Sequence, residues 1–203
     1  MKKIIALALF FILITSGAFA MDKAFGGGLL FNHSKTSGTF NSLVYIGDQW
    51  DWKMSRNGFG GFLFFGLGRF VELNFGIMYK NPNEFSLNSK DGLGSITVKA
   101  KDYGLEGTGA LQFGAYFKYP FVLSDRFVLF PTVGMDYELT LSSDDWWDDL
   151  WIRFGAGVDF FLTERVFLRG HFIYGVGVPI GEDYLNLKVT HGLLIKAGIG
   201  FMF

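Results

Sequence analysis

The chain has 203 residues, among them 28 Gly, 25 Phe and no Cys, with 18 Lys and Arg against 19 Asp and Glu. That balance offers nothing to hold a nucleic acid, and the absence of thiols excludes disulfides and thiolate metal sites. After residue 20 no apolar run approaches the roughly 20 residues of a helical span, which argues against a helical membrane protein.

Residues 1–20 read as a cleaved secretory signal. Lys2 and Lys3 form its charged start, Ile4 to Ile14 its apolar run, and Ala18-Phe19-Ala20 a small-x-small cleavage site that leaves Met21 as the first mature residue. The mature chain, 21–203, is expected to be one domain. No Cys follows the apolar run, so no lipid can be attached there.

From Ala24 onward the chain breaks into eight segments of alternating apolar and polar or small residues: 24–33, 58–67, 70–80, 108–121, 127–140, 150–162, 166–178 and 189–203. Each has about the length that a tilted transmembrane strand needs, ~9 to 11 residues. The connections alternate. Those around Gly68, Ser124-Asp125-Arg126 and Thr163-Glu164-Arg165 are tight, whereas 34–57, 81–107, 141–149 and 179–188 are longer and polar. Short turns on one side and long loops on the other are the pattern of bacterial outer-membrane barrels, and both termini then fall on the periplasmic side. The expected fold is all-β, an eight-stranded antiparallel up-and-down transmembrane β-barrel.

The faces separate by chemistry. In the last strand Leu193, Ile195, Ala197, Ile199, Phe201 and Phe203 share one face, and Gly192, Lys196, Gly198 and Gly200 the other; in the sixth, Leu150, Ile152, Phe154 and Phe160 oppose Trp151, Arg153, Gly157 and Asp159. A soluble lipid-binding barrel would place its polar residues outside. Here the apolar face is free of charge, so it is expected to meet lipid, with the inward glycines making room in a narrow lumen. Centring the turns on Glu164, Asp125 and Gly68 sets Asp159 opposite Arg169, Lys118 opposite Thr132, and Phe65 opposite Val71. Pro120 and Pro131 cannot donate to a ladder, so a bulge or loss of pairing is expected at both.

Taken together, the signal, the eight segments and the terminal run Leu193–Phe203 resemble the small outer-membrane barrels of the OmpX, OmpA-barrel and OmpW kind, over all of 21–203. The resemblance implies that Ile199, Phe201 and Phe203 are the β-signal read by the barrel-assembly machinery. It implies a monomer among outer-membrane lipids, with no cofactor.

Candidate site residues are of two kinds. The inward charges Glu72, Lys118, Asp136, Glu138, Arg153, Asp159, Arg169, His171 and Lys196 are expected to pair, Asp159 with Arg169 near Glu72 and Lys118, and Asp136 with Arg153. An unpaired buried charge costs several kcal/mol, so this network reads as a plug rather than a pore. Trp146, Trp147 and Trp151 read as interfacial aromatics beneath the acidic loop residues Asp144, Asp145, Asp148 and Asp149, whose spacing matches no calcium loop. Leu43–Ile46 and Trp50–Trp52 alternate as strands do and suggest an extension above the membrane. OmpX-like proteins use such strands as a sticky edge. Lipid-modifying barrels of the deacylase kind carry a His and a Ser two residues apart; here His33 and Ser34 are adjacent, and no catalysis is expected. The expected function is structural or adhesin-like surface interaction, with an OmpW-like small-solute channel as the alternative.

Overall fold

The computed structural model describes residues 23–41, 49–90, 94–103, 106–141, 148–180 and 187–203. Ala18, Ala20 and Met21 lie outside these, as do Trp146 and Trp147. The strands are β1 Lys23–Asn41, β2 Gln49–Leu67, β3 Val71–Ser89, β4 Ser95–Lys99, β5 Thr108–Lys118, β6 Phe121–Ser124, β7 Phe127–Leu141, β8 Asp148–Phe161, β9 Val166–Ile180 and β10 Leu187–Met202. Each long strand alternates its side chains with period two, and β-branched and aromatic residues fill the exposed outer positions.

Eight of these strands form a closed antiparallel ring, in which β1 pairs with β2 and β10, and the remaining partners run β2–β3–β5–β7–β8–β9–β10. Following directly opposed residues from Gly26 leads through Phe64, Asn74, Gly114, Asp136, Trp151, Gly177 and Thr190 back to β1 at Thr36, ten residues further on. A stagger of ten over eight strands leans each strand by roughly 40° and leaves an interior that side chains fill. The short β4 flanks β3, and β6 flanks β7.

The short turns follow local chemistry. Thr163 Oγ1 accepts from the amides of Arg165 and Val166 (3.2 and 3.0 Å), so Asp159 lies opposite Arg169. Lys118 lies opposite Thr132. At the first turn Gly68 takes a φ of 78°, which a side chain would disfavour, and the turn covers 68–70. Phe65 therefore meets Leu73 rather than Val71. An even slip keeps every side chain on its face.

At one end the first strands run well past the expected segment boundaries: 34–41, 49–57 and 81–89 are paired strand, in keeping with the strand-like alternation of Trp50–Trp52, while Leu43–Ile46 lie outside the described residues. There the alternation of apolar and polar residues fades because both faces meet polar surroundings, while the backbone ladder continues. The result is a sheet of β1, β2, β3 and β4 rising above the other strands.

The prolines divide the pairing around them. β5 ends at Lys118, and β6 begins after Pro120, so pairing is lost there as expected. Pro131, however, stays in register with Ala156 within an unbroken β7–β8 ladder, contrary to the expected bulge. Its carbonyl accepts from the Tyr119 amide (3.1 Å), so its nitrogen faces the same side, toward the gap at Pro120. The missing donor falls where the neighbouring strand is already interrupted.

Between the short turns and the rising sheet, the outward positions of the ring carry Leu29, Phe59, Leu63, Ile77, Phe113, Val133, Ile152, Phe154, Phe172, Ile195 and Ile199, all exposed, and no charged residue. This is the lipid face of a transmembrane barrel. Exposed Tyr79 and Tyr174 near its upper edge and Tyr119 near its lower edge place aromatic rings with polar tips at its two borders. Ile199, Phe201 and Phe203 lie on the same outward face.

Candidate functional site

The lumen is where the chemistry gathers. Glu72, Lys118, Asp136, Glu138, Arg153, Asp159, Arg169, His171 and Lys196 are all buried inside the ring. Lys80 and Asp149 join them, so the described buried groups number five cations and five carboxylates, apart from His171. Near neutrality is what a narrow core of low dielectric requires.

At the short-turn end Arg169 on β9 makes a two-pronged pair with Asp159 on β8, Nε and Nη2 each 2.6 Å from a carboxylate oxygen. Its Nη1 reaches across to Glu72 on β3. Glu72 also accepts from Lys118 (2.9 Å) and Asn74 (3.0 Å), and Asn74 accepts from Lys196 (2.9 Å). The guanidinium lies 4.2 Å from the Phe64 ring centre and 5.0 Å from those of Phe130 and Phe167. Aromatic faces and carboxylates together replace its water.

Midway up, Asp136 is the hub. It accepts from Tyr116 (2.5 Å), Gln112 (2.6 Å) and Arg153 Nε (3.0 Å). His171 lies between the Phe130 and Tyr116 rings, 5.3 and 6.0 Å between ring centres. Higher still, Lys80 pairs with Glu138, and Arg56 is within electrostatic reach of Glu138 and Asp149.

The glycines make this filling fit. A Cβ at Gly157 would collide with the Phe130 ring, and one at Gly200 with the Phe167 ring. Below the plug, toward the short turns, a cavity of about 470 Å³ has Lys118, Arg169, Asp159, Phe130 and Phe167 in its walls.

Trp151 corrects the expected interface. It is 0 % exposed, packed inside the barrel with the Arg153 guanidinium 4.0 Å from its ring centre and Gly177 and Gly192 beside it. Its inward parity and the small residues opposite outweigh its closeness to the loop. Asp149, expected in the acidic loop, is likewise a lumen residue, while Asp144 and Asp145 lie outside the described residues and no metal-holding cluster occurs among the described ones. Lys80 and Asp149 were both findable: they share the inward parity of Glu72 and Arg153 but lie at segment ends. His33 and Ser34 face opposite ways, His33 Nδ1 meeting Asn57 Oδ1 at 2.7 Å while Ser34 is buried.

A ring closed by its first and last strands, apolar outside and ionic inside, decides the architecture. The fold is that of a small outer-membrane β-barrel. Among solved structures, the chain is similar to the outer membrane protein OprG from Pseudomonas aeruginosa, with 14% identity, 91% of this chain and 96% of that chain covered, and a TM-score of 0.49. It is also similar to the N-terminal β-barrel domain of Pseudomonas aeruginosa OprF (14% identity, 88% and 99% covered, TM-score 0.38) and to Neisserial surface protein A (15% identity, 89% and 99% covered, TM-score 0.37). No protein-family model matches the chain, and no curated protein matches it.

Proposed function

We propose that this barrel resides in the outer membrane as a monomer, with its short turns and termini in the periplasm and its rising sheet outside, and that it serves surface interaction rather than solute passage or catalysis. The observation that carries the reading is β4. It pairs with β3 through Glu84–Asn88 on one side, and no described strand pairs with its other side. Ile96 on this edge strand is exposed. An unpaired strand edge is a template for added strands, and its backbone groups supply affinity without requiring a deep pocket. The ionic filling of the lumen supports the same reading against conduction, because its cross-barrel pairs occupy the interior of a ring only eight strands wide.

Intact cells carrying the chain should gain attachment to protein-coated surfaces, and the double variant I96K/V98K should lose it while keeping the heat-modifiable gel shift of a folded barrel. Equal attachment by both would overturn the reading. Orientation is read independently: Thr97→Cys in this Cys-free chain should react with an impermeant maleimide on intact cells, and Glu164→Cys should not. In planar bilayers the purified barrel should give no steady single-channel steps.

A further inference from the structure

We propose that Lys35, His191 and Tyr174 form a binding site, on the outer wall of the barrel at the upper edge of the apolar belt, for the phosphate of a membrane-lipid headgroup. The three residues sit on adjacent strands, β1, β10 and β9. Lys35 lies directly opposite His191, both exposed and on the outward face, two outward positions beyond Phe31. The Tyr174 hydroxyl is 2.8 Å from His191 Nδ1, and the two rings stack with centres 6.2 Å apart at 27°. This contact fixes the imidazole plane and uses one of its nitrogens.

The chemistry follows from which nitrogen is left. A neutral imidazole whose Nδ1 accepts from the phenol carries its proton on Nε2, and an imidazolium carries one there as well. The imidazolium and this neutral tautomer therefore both offer an Nε2–H donor beside the Lys35 ammonium, and a bound phosphate selects them over the tautomer protonated on Nδ1. A second ammonium, Lys53, stands on the neighbouring strand opposite Ser37, one outward position above Lys35. Among the described residues no ion pair involves Lys35, Lys53 or His191. Bases opposed on an exposed sheet repel when charged, and a bridging anion reverses the sign.

Location selects a lipid over a free anion. Exposed donors hold inorganic phosphate weakly in water, where each contact replaces one already made with solvent. Here the donors stand where the apolar belt gives way to water, the level at which lipid phosphates lie. Beneath them Phe154 meets Tyr174 with ring centres 5.3 Å apart, and exposed Phe172 adjoins, so acyl chains find apolar wall directly under the headgroup.

The test uses the full mature chain refolded in detergent micelles, with bisphosphorylated lipid A as probe and native mass spectrometry of the adducts. Micelles have no leaflets, so the result is independent of the orientation proposed above. The wild type should retain the lipid, and K35Q/H191Q should retain about ten-fold less, the scale of one charge-assisted hydrogen bond. Y174F, which frees the imidazole to turn, should fall between them, and the exposed control K101Q should match the wild type. Millimolar inorganic phosphate should not displace the lipid. Equal retention by K35Q/H191Q with the folded-barrel gel shift intact would overturn the site. So would equal retention of dephosphorylated lipid A, or displacement by inorganic phosphate.

Discussion

Arg169 answers two carboxylates and three aromatic rings, so its removal strands more than it deletes. In Arg169→Met, Asp159 loses its two-pronged partner and Glu72 is left to Lys118 and Asn74. The expected cost is about 3–5 kcal/mol, the usual penalty for an uncompensated buried charge, read from urea unfolding of the refolded barrel. Replacing Lys80 and Glu138 together with apolar residues of similar size should cost far less, because one charge of each sign leaves and Arg56 and Asp149 still face each other. At Gly157 steric fit decides instead of charge. Gly157→Val should destabilise by about 1–3 kcal/mol, since its side chain meets Phe130, and Phe130→Leu in the same chain should recover part of the loss. A double variant no more stable than Gly157→Val would show that the ring is not what the glycine accommodates.

At the scale of elements, stability should divide along the height of the barrel. β8 pairs along its length with both β7 and β9, whereas β4 is bound on one side by five opposed residue pairs. Amide exchange in a membrane mimetic should therefore be orders of magnitude faster in β4 than in the middle of β8, and equal protection would contradict the edge position. The same division explains what the sequence disclosed. Within the belt, Phe154, Asp159, Arg169 and Ile195 obey one rule imposed by lipid on one side and packing on the other, so strand and face could be read, and partner too wherever the turn was centred correctly, as for Asp159 and Arg169 but not for Phe65. Above it, Lys53, Arg56 and Glu84 break the apolar alternation, so among the described residues only the short run Trp50–Trp52 signalled strand there, and the full extent of the sheet was not legible. Trp151 was legible through Gly177 and Gly192, but only to a reader who trusted parity over the acidic run beside it. Pro131 depended on which side of the strand its nitrogen faces, a fact fixed by the register and not by composition.

For the whole molecule, closure joins β1 to β10. Lys23 and Phe203 exchange backbone hydrogen bonds of 3.2 and 2.9 Å, and Phe203 projects outward beside the seam. Phe203→Ser should lower the amount of heat-modifiable barrel recovered from membranes while leaving the stability of the inserted fraction close to that of the wild type. Unchanged recovery would remove the assembly role of the terminal aromatic without touching the barrel itself.

The ionic core also sets an order of events. Glu72 is made early, yet its bond to Arg169 spans 97 residues, and Asn74 waits 122 residues for Lys196. A chain stopped after β8 would hold Asp159 with no arginine opposite and Glu72 only partly answered. Carrying such a half-sheet into hydrocarbon would cost several kcal/mol for each unpaired charge, which disfavours insertion of a partly paired ring. The lumen charges thus couple solubility in hydrocarbon to closure: the membrane is a favourable solvent for this ring only with β9 and β10 in place.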